Sequence, residues 1–340
     1  MNTSTSLTEF HTYAQKYLND WEKKSTVRTK KRSRFSKSLL AKVDFSYSLK
    51  PYKHLPEIQA LKKKQLQAFY LQSFCDVLSG VANFEVNFVT DQCGKLANQG
   101  LGIDLSDSIK QVAIAIGTDE MYHAFVAREL LSDLKTLVGV TPSAVHKPVA
   151  AKGSDTTSKL KKEGALVAPL DFFRSAVPTK LERIAETTLL CILENAVVDD
   201  IISMAKVAHT DNPADIYFRE HLHDESRHKV FFQHLLKYLW SAISEKDRVV
   251  LGRAIVGYFV TYVTPSEEQL FEFHHKTLEP LGLPIAVSQS IARKVTEQEC
   301  KEQLHEVEFI QNPMRLMKIA GVIEHAPTHR LLIKKHLLAA

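Results

Sequence analysis

Two short strings stand out for what they could do chemically. Asp119-Glu120-Met121-Tyr122-His123 and Asp224-Glu225-Ser226-Arg227-His228 both read D-E-x-x-H. In an α-helix, residues three apart lie one turn along the axis and about 60° around it, so a Glu and a His at this spacing reach one ion from one face. A single E-x-x-H is frequent by chance. Two copies on separate, apolar-flanked helices are the pattern of a carboxylate-bridged dimetal centre, which requires one more Glu from each of two further helices.

Both glutamates are present. Glu85 lies in the largely apolar run 81–89, and Glu194 in the run 189–198, each ahead of one E-x-x-H string. An unpartnered buried carboxylate is costly, and coordination to a cation relieves that cost. A third histidine joins by spacing: His221, Glu225 and His228 recur at i, i+4 and i+7, a narrow stripe on one helix face. His223 falls on roughly the opposite face, and His209 and His234 read as ordinary surface or rim histidines. Asp119 and Asp224 directly precede the string glutamates, where an Asp can accept the ring N–H of the histidine on the partner string and fix its tautomer. The four glutamates carry the charge that balances two divalent ions, so a buried site comes out near neutral. Oxygen-rich ligation with imidazole and no neighbouring thiolate suits iron or manganese better than copper.

Such residues need helices to position them. The spacing predicts helices over 1–25, 55–75, 77–99, 105–137, 179–208, 213–242, 244–262, 265–280 and 285–307. Thr179 to Glu182 reads as a capping box, Pro265 and Pro213 stand at first helical positions, and Asp215 lies in a first turn. Residues 138–168, with Pro142, Pro148, Gly153 and Gly164, read as a long crossover between the first and second pairs of core helices. Three units follow: an N-terminal helix and basic connector (1–54), a metal-binding helical domain (55–310) and a C-terminal segment (311–340). The connector carries Lys23, Lys24, Arg28, Lys30, Lys31, Arg32, Arg34 and Lys37. It reads as a solvated face, with a docking strip for an acidic protein as the sharper alternative.

Composition agrees with a helical globular chain. Of 340 residues, 44% are hydrophobic and 24% charged, and Gly and Pro, at 12 each, are too sparse for a many-stranded β protein. The net charge of +5 is weak evidence for a polyanionic partner, and no zinc-finger, RNP or helix-turn-helix pattern is present, so no nucleic-acid partner is expected. Four widely spaced cysteines without a C-x-x-C point to free thiols in a reducing compartment. Residues 1–19 lack a signal-peptide core and no apolar run spans a bilayer, so a cytoplasmic protein is expected.

Taken together, Glu85, Glu120, His123, Glu194, His221, Glu225 and His228 resemble the ligand set of the diiron arylamine N-oxygenases of the p-aminobenzoate N-oxygenase type, over about residues 60–240. The hallmark of that family is the additional His one turn before the second E-x-x-H, here His221. The resemblance implies an all-α fold with a ferritin-like four-helix bundle core and additional helices. It implies two iron ions, with Glu120 and Glu225 bridging, Glu85 and His123 terminal on one and Glu194, His221 and His228 terminal on the other. It implies O2 activation through a peroxo-diferric species that oxidises an amine or hydroxylamine nitrogen, with His221 slowing decay of that species. Further implications are an external electron donor, an amine substrate that is free or tethered to a carrier protein, a place in natural-product biosynthesis, and a homodimer. Alternatives open on the sequence are a desaturase-like or N–N bond-forming diiron oxidase, a ferroxidase or iron-binding protein, and a metal-free helical protein. The desaturase-like pattern lacks the third His.

Overall fold

Apolar residues at helical spacing build nearly all of the regular structure. The computed structural model describes residues 3–30, 33–40, 52–98, 100–143, 167–196, 211–301 and 308–339, and among these residues every regular element is helical. The chain is all-α. We number the longer helices α1 (Thr3–Lys24), α2 (Lys63–Phe84), α3 (Thr90–Asn98), α4 (Asp107–Val138), α5 (Val167–Ser175), α6 (Glu182–Ala196), α7 (Pro213–Ala242), α8 (Glu245–Tyr258), α9 (Glu267–Leu278), α10 (Ile285–Glu299), α11 (Glu308–Ile319) and α12 (Ala326–Lys334).

Four helical segments form the centre. α2 and α3 pack on α4, α6 packs on α7, α4 meets α7, and α3 meets α6. α6 is enclosed on all sides, with every residue from Ile184 to Ala196 buried, as expected of a helix without a solvent face. α1 lies across α4 and α7. Its inner stripe is Phe10, Ala14 and Tyr17, with Leu7, Leu18 and Trp21 half-buried beside them. α11 covers α6 and α7, and α12 covers α8. α9 and α10 build a separate apolar cluster with Tyr52, Ile58 and Phe69.

Several boundaries differ from the sequence expectation. The break expected at residue 76 is absent, because nothing there stops a helix. The chain instead runs through a π turn, Glu85–Val89, that joins α2 to α3. Thr179 does not open a capping box: residues Thr179–Leu181 form a 3-10 turn behind Pro178, and α6 follows. The helix expected from Pro265 begins two residues later, capped by Ser266. Its hydroxyl accepts from the Gln269 N–H at 3.3 Å, while the Gln269 side chain accepts from the Ser266 N–H at 2.8 Å. Asn212 does cap α7, accepting from the N–H groups of Ala214 and Asp215 at 2.9 and 3.0 Å. α4 ends on Gly139, whose φ of 72° is the left-handed stop that glycine adopts most readily. Most of the crossover expected over 138–168, and the parts of the expected helices beyond 196 and 301, lie outside the described residues, as does His209.

Cys75, Cys93 and Cys191 are buried free thiols, and Cys300 is free and exposed. No single described helix is long and apolar enough to cross a membrane. Among the described residues one bent pair, Glu245–Val263 with Glu267–Leu281 at 48°, reaches the length and composition of a span.

The docking of α1 rests on Phe10, which is fully buried with its ring 5.3 Å from that of Phe231 and 6.2 Å from that of Tyr238. Truncation of a buried Phe costs about 3–5 kcal/mol. Phe10→Ala is therefore expected to lower the free energy of unfolding by about 3 kcal/mol, read as a shift of the urea midpoint at unchanged slope.

Candidate metal centre

The seven residues singled out by spacing meet in one place. Glu85 comes from the π turn, Glu120 and His123 from α4, Glu194 from α6, and His221, Glu225 and His228 from α7. All are at most 4% exposed. Their ligand atoms form two overlapping groups, each with atoms within 4.8 Å of one another: Glu85, Glu120, His123 and His221, and Glu120, Glu194, Glu225 and His228. Glu120 belongs to both. Glu225 also reaches across, with Oε1 3.3 Å from His228 Nδ1, 3.3 Å from His221 Nε2 and 3.9 Å from His123 Nδ1.

The side on which His221 stands differs from the expectation. Its Nε2 is 3.1 Å from Glu85 Oε1, and its ring stacks on that of His123 with centroids 4.2 Å apart. His221 therefore joins Glu85 and His123, leaving Glu194 with His228. The π turn bears on this arrangement. Such a turn inserts one residue into a helix and is common at functional sites. Here Glu85 opens it, and the N–H of Thr90 bonds to the Glu85 carbonyl across it.

Do these residues fit a pair of metal ions? The chemistry of the donor set is four carboxylates and three imidazoles. Glu85 Oε1 and Oε2, Glu120 Oε1, Glu194 Oε2, His123 Nδ1 and His228 Nδ1 are all buried without a hydrogen-bond partner, and His221 turns its Nε2 toward Glu85 and Glu225. Some of these atoms nevertheless lie close together: Glu120 Oε1 and His228 Nδ1 are 2.8 Å apart without the alignment of donor to acceptor. Neighbouring ligands of one ion at about 2.1 Å stand about 3 Å apart for the same reason, since their lone pairs face the ion and not each other. The residues fit.

Without an ion, protons must carry the balancing charge. Burial, opposed in part by His221, pushes the Glu85 carboxyl up to about 7. Burial and the charges of Glu225 and Glu120 push Glu194 well above the usual carboxylate range. Burial also acts to raise Glu225, but His228 and His221 outweigh it and hold this group low. For His123, burial opposes the charged form, while its hydrogen bond to Asp224 and the nearby charges of Glu120 and Glu85 win and raise it well above the ordinary imidazole value.

A second layer holds the imidazoles. His123 Nε2 is 3.1 Å from Asp224 Oδ2 and His228 Nε2 is 3.3 Å from Asp119 Oδ2. Each string's Asp thus grips the other string's His, as the sequence led us to expect. With Nε2–H donated outward, Nδ1 of both rings is left as the inward lone pair. Both aspartates are fully buried and draw on donors that sequence reasoning missed. Trp21 Nε1 donates to both oxygens of Asp119 at 3.0 Å, and the Ser25 hydroxyl donates to Oδ1. Thr26 donates to Asp224 through its N–H at 3.3 Å and through its hydroxyl. Arg227 pairs with Asp224 and lies 3.5 Å from Asp119. Arg227 was legible as the third residue after Asp224; nothing in the sequence marks Trp21, Ser25 or Thr26.

Ser25 and Thr26 sit inside the basic strip, and two of the strip's arginines are engaged within the chain. Arg28 pairs with Glu22, and Arg34 with Glu129 and Asp133. Lys31 and Arg32 lie outside the described residues. His223 points away from the cluster, 3.0 Å from the Lys24 carbonyl, and His234 stacks on Tyr13 at 4.6 Å. A recess of about 400 Å³ between α9 and α10, lined by Glu267, Phe271, Arg293 and Glu297, shares no residue with the metal cluster.

No protein-family model matches this chain, and no curated protein matches it either.

Two outcomes follow from this geometry. A divalent ion must displace the protons held by Glu85, Glu194 and the imidazoles, so apparent affinity is expected to rise with pH through neutrality, with protons released on loading. Titrating Fe(II) or Mn(II) anaerobically in weakly buffered solution at several pH values reads both. Asp119→Asn and Asp224→Asn leave all seven ligands in place yet are expected to weaken metal binding by about 10- to 100-fold, measured by competition with a chelator.

Proposed function

We propose that this chain is a non-haem diiron, O2-dependent N-oxygenase that oxidises an amine or hydroxylamine nitrogen, on a ferritin-like four-helix bundle made by α2–α3, α4, α6 and α7. The observation that carries the reading is the third imidazole. His221 adds a nitrogen donor to a doubled E-x-x-H frame that is otherwise shared by many dimetal carboxylate proteins. Bound iron would supply the electrons that reduce O2 and the Lewis acidity that holds it near the substrate.

The chain's own residues have definable parts in this scheme. Glu120 and Glu225 span the two positions. Glu85, His123 and His221 complete one, and Glu194 and His228 the other. Counting both shared glutamates, the first position has five protein residues and the second has four. Asp119 and Asp224 hold protons on the outer nitrogens of His228 and His123, so the inner nitrogens stay free to coordinate. Cys93 and Cys191 lie near Glu194. Burial, then the negative charge of Glu194, pushes both thiols well above their ordinary value, which keeps them neutral in the metal-free chain. Burial of the whole cluster excludes bulk water from the reacting groups.

The proposal includes an external electron donor and an amine substrate, free or carried by a protein. The deciding experiment loads the chain anaerobically with Fe(II), counts metal, and follows O2 consumption with a panel of aryl and alkyl amines and hydroxylamines. About two ions per chain and amine-dependent O2 uptake with an N-oxidised product are expected. Two ions with O2 uptake that no nitrogen compound alters would replace this reading with a ferroxidase. Glu120→Ala and Glu225→Ala should each reduce the bound metal to below about one ion per chain, because each removes a ligand from both positions.

A further inference from the structure

One buried polar group beside the metal cluster has no role in the scheme above. Tyr217 lies four residues before His221 and eight before Glu225, on the same stripe of α7. It is 4% exposed, and its ring stands edge-on to His221 with centroids 5.3 Å apart. The negative charges of Glu85, Glu120 and Glu225 all act on its hydroxyl, yet that hydroxyl has no hydrogen-bond partner. Tyr217 otherwise belongs to an apolar cluster that includes Phe218, whose ring centroid is 5.5 Å from its own. A phenylalanine would fill this space without leaving a buried donor unsatisfied, which is a net cost to folding.

Tyr17 makes a useful contrast. Its hydroxyl is also buried without a partner. But Tyr17 belongs to α1, behind the metal ligands, with Arg227 over its ring at 5.4 Å. The charges of His228 and Asp119 act on Tyr17, whereas Tyr217 stands against the His221 ring and within reach of the charges of Glu85, Glu120 and Glu225. The acceptor that Tyr217 lacks is thus to be sought at the metal pair.

We propose that the Tyr217 hydroxyl is the hydrogen-bond donor for a small anionic or dioxygen-type ligand that enters the metal pair on the His221 side. The inference rests on the dimetal reading above. The phenol keeps its proton and donates it into a hydrogen bond; no electron is transferred. A neutral donor suits this place, because it grips an incoming anion without adding charge to a cluster already balanced by the ions. In the absence of that ligand the donor is left idle.

The test uses the full-length, Fe(II)-loaded protein and Tyr217→Phe, with azide as the probe. Metal content, azide affinity from optical titration, and the melting temperature of the metal-free protein are measured for both. The expected result is equal metal content, azide binding weakened about tenfold in the variant, equivalent to about 1.4 kcal/mol, and a melting temperature no lower than that of the parent. Equal azide affinities, or no azide binding by the loaded parent, would overturn the role of Tyr217 while leaving the dimetal reading intact. Loss of metal or a lower melting temperature in the variant alone would make Tyr217 a structural residue and also overturn it. Failure of the parent itself to bind iron would remove the dimetal reading, and this inference with it.

Discussion

Four glutamates buried within a few ångströms of one another cannot all be ionised without cations among them. That constraint governs the centre of this molecule. A carboxylate in a low-dielectric interior is stable only when paired, and removing a partner leaves a charge whose cost reaches several kcal/mol. Glu85, Glu120, Glu194 and Glu225 come from four different helical segments, so whatever neutralises them also ties those segments together. In the metal-free chain the neutralising charge is carried by protons on Glu85, Glu194 and the imidazoles. With ions bound, the same positions would become ligands, and folding and metal binding would draw on one free-energy source.

The aspartates extend that dependence outward. Because Asp119 grips His228 and Asp224 grips His123, each string is completed only when the other is in place. α4 and α7 are therefore fixed in register by polar contacts as well as by their apolar faces. The aspartates in turn need donors, and α1 with the turn after it supplies three: Trp21, Ser25 and Thr26. A segment that looks peripheral is thus part of the support of the cluster, two layers removed from the ligands. Apolar burial along Phe10, Ala14 and Tyr17 brings α1 to the surface of α4 and α7; hydrogen bonds set where it stops.

Much of the centre was legible because helical geometry converts spacing into position. Glu and His three apart share a face, and the stripe His221, Glu225, His228 needs no tertiary information to be seen. The all-α class was legible for the same reason. The side on which His221 falls was not, since spacing places it on a face of α7 but does not say which neighbouring carboxylate that face meets at that height. The π turn at Glu85 was likewise hidden: an extra residue in a helical turn leaves no mark in the pattern of apolar residues, and the sequence instead invited a break at 76. Trp21, Ser25 and Thr26 act over separations of about a hundred residues or more. Within a run of lysines and arginines, charge drew attention to the wrong side chains.

The two halves of the site are built alike, each with a glutamate on one helix and a D-E-x-x-H string on the next, but they are not equivalent. The π turn that presents Glu85, the extra imidazole of His221 and the unpartnered phenol of Tyr217 all gather at the first position. The second position has Glu194 on the enclosed helix α6, with the thiols of Cys93 and Cys191 close by and a large apolar cluster behind it. A symmetric cradle would bind two ions alike. An asymmetric one would not: two imidazoles stand at the first position and one at the second, and an imidazole donor suits iron better than a carboxylate does. The departures from symmetry therefore gather at one position: His221 and Tyr217 stand four residues apart on one face of α7, and the π turn at Glu85 meets them from the connection between α2 and α3.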